Sequence, residues 1–309
     1  MTAIDTTRPF MPESLTPLAY TAIYRDLSDA ERLRYNQLHA LFFHEQIIFF
    51  EQTLVRNVAG AFLREDLPTA LRQGLRDFIG EEERHSAGFH ELNRRCAPQL
   101  YAASRFHFIR VSQVAARALG WMTRHPRRFP LFVWLMLIQE ERALHFGREF
   151  VRAADWLEPS FIAIQRGHVA DEVDHVRWDE ELLDRVWPET SPRLRALNVR
   201  LLAWMIGEFF HTPRRAGLRV VEALAAEFPA LRARLPEMRR QMLALRGDEP
   251  CRRALYSAAM LPRVARRISG DEVFAPLRAV LFGAGKDQPP ATSASTAATS
   301  DAAFSSGRK

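Results

Sequence analysis

One spacing, repeated twice, restricts the fold of this chain more than any other feature. Glu82-x-x-His85 reappears ninety residues later as Glu172-x-x-His175, and Glu51 and Glu141 each stand thirty-one residues before the glutamate of their pair. Residues at i and i+3 share one face of an α-helix and opposite faces of a strand, so each pair can serve one metal only from a helix. In an antiparallel helical hairpin, residues equidistant from the turn lie at one height. The midpoint of Glu51 and Glu82 falls at Asp66-Leu67, just before Pro68, and that of Glu141 and Glu172 at Trp156-Leu157, just before Pro159. Both midpoints are therefore independently marked helix breaks. Glu45 would centre its hairpin inside the first helix, and Glu140 would break the repeat by one residue, turning the carboxylate by about 100°. Glu51 and Glu141 are the expected partners, with Glu45 and Glu140 open as their replacements.

The rest of the sequence is punctuated as a helical bundle. Ser28-Asp-Ala-Glu31 reads as a capping box opening a helix that runs to about Arg64. Further helices are predicted from Pro68 to about Arg94, before Pro126, from Pro130 to about Ala154, and from Pro159 to about Trp187. Beyond them, Ser191-Pro192 opens an apolar helix ending near His211, followed by Arg214 to Glu227, Ala230 to Arg246 and Pro250 to Met260. No segment from Ser28 to Met260 alternates apolar and polar residues for long, so the fold is predicted all-α. Residues 28–282 are read as one bundle with additional C-terminal helices, 1–27 as an N-terminal extension, and 283–309, rich in Ala, Ser and Thr, as a disordered tail.

Two glutamates plus two Glu-x-x-His motifs in a four-helix bundle make a carboxylate-bridged dimetal site, and oxygen with imidazole donors suits two Fe ions, or Mn. Glu51 follows Phe49 and Phe50, and Glu141 follows the apolar run Leu131 to Ile138, where an ionised carboxylate is costly unless paired or metal-bound. A buried Arg–Glu pair is the plain alternative. Glu81 and Asp171, each preceding a motif glutamate, are placed to orient His175 and His85 across the bundle. His168 lies four residues before Glu172 on the same face, whereas the position ninety earlier is Phe78, so one metal would receive an extra nitrogen. His44, His90 and His145 are read as supporting or core residues. There is no Gly-x-Ser-x-Gly elbow, phosphate loop or dinucleotide fingerprint.

The net charge of +6 and pI near 9.9 raise nucleic-acid binding, but the arginines are scattered among acids and both lysines sit in the tail, which argues against it. Two cysteines, Cys96 and Cys251, are too few for a disulfide framework and fit a reducing cytoplasm. No secretory signal opens the sequence, and no apolar stretch approaches the ~20 residues of a membrane span.

Taken together, Glu51, Glu82-x-x-His85, Glu141 and His168-x-x-x-Glu172-x-x-His175 resemble the ferritin-like di-iron N-oxygenases typified by p-aminobenzoate N-oxygenase. The resemblance covers about Ser28 to Trp187 and is carried above all by Glu158-Pro-Ser-Phe through His168-Val-Ala-Asp-Glu-Val-Asp-His175. It implies a ferritin-like bundle that binds two irons through these seven residues, uses O2 as co-substrate, and oxidises an arylamine to hydroxylamine and nitro products. A small-molecule substrate follows. With no flavin or iron-sulfur motif in the chain, so does an external electron donor, a reductase or small electron carrier; a homodimer is open. Phe78-Ile-Gly-Glu-Glu-x-x-His-Ser also resembles a bacterial family labelled predicted metal-dependent hydrolase. C–H hydroxylation or desaturation on the same core, iron storage without an organic substrate, and a metal-free interaction protein are the competing functions.

Overall fold

Many helix starts carry the capping residue or first-turn proline that sequence rules favour there, and the bundle is assembled from what those starts allow. The computed structural model describes residues 3–211 and 215–283. Ser28 closes the capping box of α1 (Asp29–Phe49): its side chain accepts from Glu31 N while the Glu31 carboxylate accepts from Ser28 N. Helix α1 passes without a break through a π-helical turn (Phe50–Val55) into α2 (Arg56–Phe62), and the chain then returns as α3 (Thr69–Cys96). After the exposed α4 (Gln113–Thr123), a second hairpin is formed by α5 (Leu131–Arg152) and α6 (Pro159–Val186). Glu158 caps α6 through Ser160 N and Phe161 N, with Pro159 at the first helical position.

The two hairpins pack α1 on α3, α5 on α6 and α3 on α6, so all four long helices converge on one buried axis. Glycine permits the closest of these approaches. A Cβ on Gly147 of α5 would lie 2.0 Å from a methyl of Val169 on α6. The first eight residues of α5, Leu131 to Ile138, are buried on every side, because α7 (Pro192–Met205) and the C-terminal segments cover the face that α6 leaves open.

The remaining chain is a helical cover. A second π-helical turn (Ile206–His211) ends α7, α8 (Arg215–Glu227) packs on α1, and α9 (Leu235–Ala244), α10 (Glu249–Leu255), α11 (Pro262–Ile268) and α12 (Ala275–Phe282) follow. The single helix predicted from Pro250 to Met260 is two shorter pieces of structure: Tyr256 is extended and ends α10, and α11 and α12 lie beyond the last predicted helix. The N-terminal residues are part of the core. Phe10 stacks on Phe161 at 4.2 Å, and Asn36 holds both the Phe10 amide and the Met11 carbonyl. No strand occurs among the described residues, and none of their helices is long and apolar enough to cross a membrane. The predicted tail beyond Gly283 lies outside the described residues.

Candidate metal centre

Seven side chains from α3, α5, α6 and the first π-turn meet at the centre of the bundle. One donor atom each from Glu51, His85 and His168 lies within 4.8 Å of the others, and so does one each from Glu82, Glu140, Glu172 and His175. The i and i+3 spacing brings Glu82 and His85 to one face of α3 and Glu172 and His175 to the opposing face of α6, with His168 a turn earlier. Glu51 projects from the π-turn, where the wider winding of the chain changes the phase of the helix. Ser86 Oγ donates to Glu51 Oε2 at 2.7 Å and fixes that carboxylate.

His168 Nε2 lies between the two groups, 3.2 Å from Glu51 Oε1 and 2.9 Å from Glu172 Oε1. His175 Nδ1 stands 3.0 Å from Glu172 Oε2 and 3.2 Å from Glu82 Oε1. The far nitrogens of the two motif histidines are held crosswise: His85 Nε2 is 3.1 Å from Asp171 Oδ2, and His175 Nε2 is 3.0 Å from Glu81 Oε2. Each bond spans from one hairpin to the other, so Asp171 and Glu81 set the tautomer and direction of both rings. Phe78 stacks on His175 at 4.1 Å, while His168 meets His85 edge-on at 4.8 Å.

Apart from the contacts between imidazole and carboxylate, several polar atoms at this centre have no hydrogen bond. Both oxygens of Glu82, Glu140 Oε1, Glu172 Oε1 and His85 Nδ1 are buried without a hydrogen bond. Such a cluster is costly unless cations fill it, and four carboxylates match the charge of two divalent ions. Without metal, protons substitute in part. Burial, with the Glu82 charge, raises Glu51 well above the usual carboxylate range, and burial with the Glu172 charge does the same to Glu140. Burial works against a charged His175, but the Glu172 and Glu82 carboxylates outweigh it and push that ring up to about 12. His168 is likewise raised despite burial, by Glu172 and Glu51. The donor set therefore fits a pair of oxygen-preferring divalent metals.

Of the residues expected from sequence, Glu51, Glu82, His85, His168, Glu172 and His175 are brought together, and Glu141 is not. Its carboxylate accepts from Arg263 N and Val264 N, both at 2.9 Å, and so caps the N-terminus of α11. Glu140 takes the place in the cluster. The ninety-residue rule assumes that both halves wind alike, and the π-turn at Phe50–Val55, absent from α5, breaks that equality next to Glu51. Glu45 is also outside: it accepts from Tyr101 Oη and from the amides of His107, Phe108 and Ile109, anchoring the loop before α4. His44 Nδ1 pairs with Asn93 Oδ1 at 2.8 Å and its ring stacks on Phe161, while His90 and His145 belong to neither group.

Several residues carry no sequence signal of their place here. Ser86 simply follows a motif histidine. Asp179, one turn past His175, is fully buried with neither oxygen hydrogen-bonded, and burial raises its pKa well above the usual range. Beside the centre is a cavity of about 40 Å³, lined by Glu51, Glu140 and His168 on the metal side and by Phe43, Phe146 and Phe210 on its apolar walls.

Comparison with known protein families matches residues 1–246 to p-aminobenzoate N-oxygenase AurF. The chain belongs to that family. The AurF family is a family of di-iron N-oxygenases with a ferritin-like helical fold, in agreement with the all-α bundle and its buried Glu/His clusters. The AurF match covers both hairpins, the cover through α9 and all seven clustered residues, and ends before α10, α11 and α12. No curated protein matches the sequence.

Proposed function

We propose that this chain is a di-iron oxygenase that activates O2 to N-oxygenate an amine, most specifically an arylamine, with electrons delivered by a separate reductase or small carrier. The observation that carries this reading is the position of His168 Nε2 between Glu51 and Glu172, which adds a third imidazole to a four-carboxylate, two-histidine centre. Glu51, Glu82, His85, Glu140, His168, Glu172 and His175 would hold the irons. When bound, the two irons supply the reduction of O2 and the delivery of an oxygen atom to the substrate nitrogen.

The chain's own residues provide placement and a dry surrounding. Asp171 and Glu81 hold the rings of His85 and His175 so that each Nδ1 faces inward, and Ser86 leaves one oxygen of Glu51 free. Phe43, Phe146 and Phe210 give the neighbouring cavity apolar walls; at about 40 Å³ it would take a ring-bearing amine only when one of these side chains turns aside.

The test is direct. The iron-loaded, chemically reduced protein is mixed with ¹⁸O2 and a panel of arylamines, and the products are read by mass spectrometry. Labelled hydroxylamine, nitroso or nitro products are expected, at a level well above that of an iron-free control. Unlabelled substrate throughout, or label on carbon alone, would contradict N-oxygenation.

A further inference from the structure

Most of the chain's arginines stand among acids, but from Leu92 to Gln139 there is no Asp or Glu, and there are eight arginines. This stretch contains α4, which lies on the outside of the bundle against the first π-turn and α2. Arg110, Val114, Arg117, Trp121 and Arg124 follow one another by four and three residues, so they fall on one side of α4 and its flanks. That side faces away from the bundle: Val114 is 77% exposed and Trp121 45%, while Thr123, on the other side, is buried. Among the described residues Arg110, Arg117 and Arg124 are exposed and form no ion pair, whereas Arg127 is tied to Glu65 and Glu189. A row of cations and large apolar side chains open to water is unlike the paired Arg and Glu faces elsewhere on the protein, and has the make-up of an interface.

The row stands over the part of the first hairpin that supplies Glu51. Thr123 Oγ1 accepts from Asn57 Nδ2 at 3.3 Å, and Asn57 Nδ2 also donates to Thr53 O of the π-turn at 2.8 Å. Arg105 Nη1 donates to Gln52 Oε1 at 2.9 Å, and Gln52 is the residue after Glu51. A protein seated on α4 is therefore one helix thickness, about 10 Å, from the turn that carries Glu51. We propose that the exposed side of α4 docks the electron donor, a small acidic one-electron carrier of the ferredoxin class. The need for a donor rests on the oxygenase reading; the place and the charge of the donor rest on α4. Each encounter passes one electron from the carrier's reduced cluster, which is oxidised, and two encounters convert two ferric ions to two ferrous ions. Positive charge without nearby acids steers an acidic partner, and Trp121 between two arginines supplies an aromatic anchor. A second copy of the chain fits less well, since a two-fold contact through α4 sets its arginines against each other. A bilayer would meet few large apolar side chains on this eleven-residue helix. Electron-transfer contacts are small, so one helix face suffices.

The experiment measures binding of an acidic plant-type 2Fe–2S ferredoxin to the iron-loaded full chain by calorimetry, for wild type, Arg117→Glu, Trp121→Ala and Arg232→Glu. Arg232 is exposed near the Arg234–Asp26 pair, beside the opposite end of α1, and so controls for net charge alone. Arg117→Glu and Trp121→Ala should each weaken binding at least about tenfold, and Arg232→Glu less than about twofold. Wild-type binding should weaken at high salt, with iron content and helicity unchanged in every variant. The anaerobic rate at which prereduced ferredoxin bleaches the ferric absorption should fall in the same two variants. No binding by wild type, or an equal loss in all three variants, overturns the proposal. Sedimentation of wild type as a dimer that Arg117→Glu or Trp121→Ala dissociates would put a second copy on this face. Flotation with phosphatidylglycerol vesicles, lost in those variants, would put a membrane there, and either result overturns the proposal. Binding and iron reduction that depend on α4, with no amine oxidised, would keep the docking face and remove the N-oxygenase reading. Amine oxidation with a chemical reductant, without ferredoxin binding, would do the reverse.

Discussion

The two hairpins carry one motif and build it differently. In the first, α1 opens into a π-turn at Phe50–Val55 and Glu51 leaves from that turn, held by Ser86. In the second, α5 is regular, Glu140 faces the cluster, and Glu141, rotated by about 100° from it, caps α11. The position that is Phe78 in the first hairpin is His168 in the second: Phe78 packs on His175, whereas His168 packs on His85 and also presents a nitrogen to Glu51 and Glu172. A duplicated pattern thus sets the heights of the donors, and local departures from it decide which atoms face inward. What the halves keep in common is the crosswise support, Asp171 to His85 and Glu81 to His175.

The largest effect is expected where the halves meet. Glu172 approaches His168, His175 and His85, so Glu172→Ala should cut iron from about two per chain to below one and abolish amine oxidation. Elemental analysis after anaerobic loading measures this, and a full complement of iron would separate Glu172 from the metals. His168→Phe makes the second hairpin resemble the first. About two irons should remain on four carboxylates and two histidines, while turnover falls at least about tenfold because one donor is missing. Parent-level turnover in that variant would reduce His168 to a packing residue.

How far this was legible in the sequence follows from which features are local. The capping box at Ser28, the prolines at the hairpin turns and the i, i+3 pairs act within one helix, and the structure has the helices where they point. The pairings of Glu81 and Asp171 with opposite histidines were legible because an antiparallel repeat fixes them. Glu141 was misplaced because a π-turn leaves no mark in residue types, and because the group that claims Glu141, the start of α11, lies over a hundred residues away in the chain.

The shared crosswise bonds offer a finer test. Asp171→Asn should weaken iron binding by roughly 10- to 100-fold, and Glu81→Gln should do so to a similar degree, if both histidines depend on them alike. Competition against a metal chelator gives both numbers, and an effect in one variant alone would make the support one-sided. The smallest effects concern packing. Gly147→Ala sets a Cβ against Val169 and should cost about 1–3 kcal/mol. Gly60→Ala in the first hairpin meets nothing within 4 Å and should instead stabilise by about 0.5–1 kcal/mol. Chemical denaturation of the pair reads the difference, and equal signs would mean the hairpins are packed alike.

The central claim is that seven buried side chains, with Glu140 and not Glu141 among them, hold two iron ions. Iron stoichiometry of Glu140→Ala and Glu141→Ala, loaded side by side and checked by Mössbauer spectroscopy, tests it most directly. Glu141→Ala is expected to keep about two irons and lose about 1–2 kcal/mol of stability with the cap of α11, while Glu140→Ala keeps its fold and holds less than two. Full iron in Glu140→Ala together with loss of iron in Glu141→Ala would contradict the account.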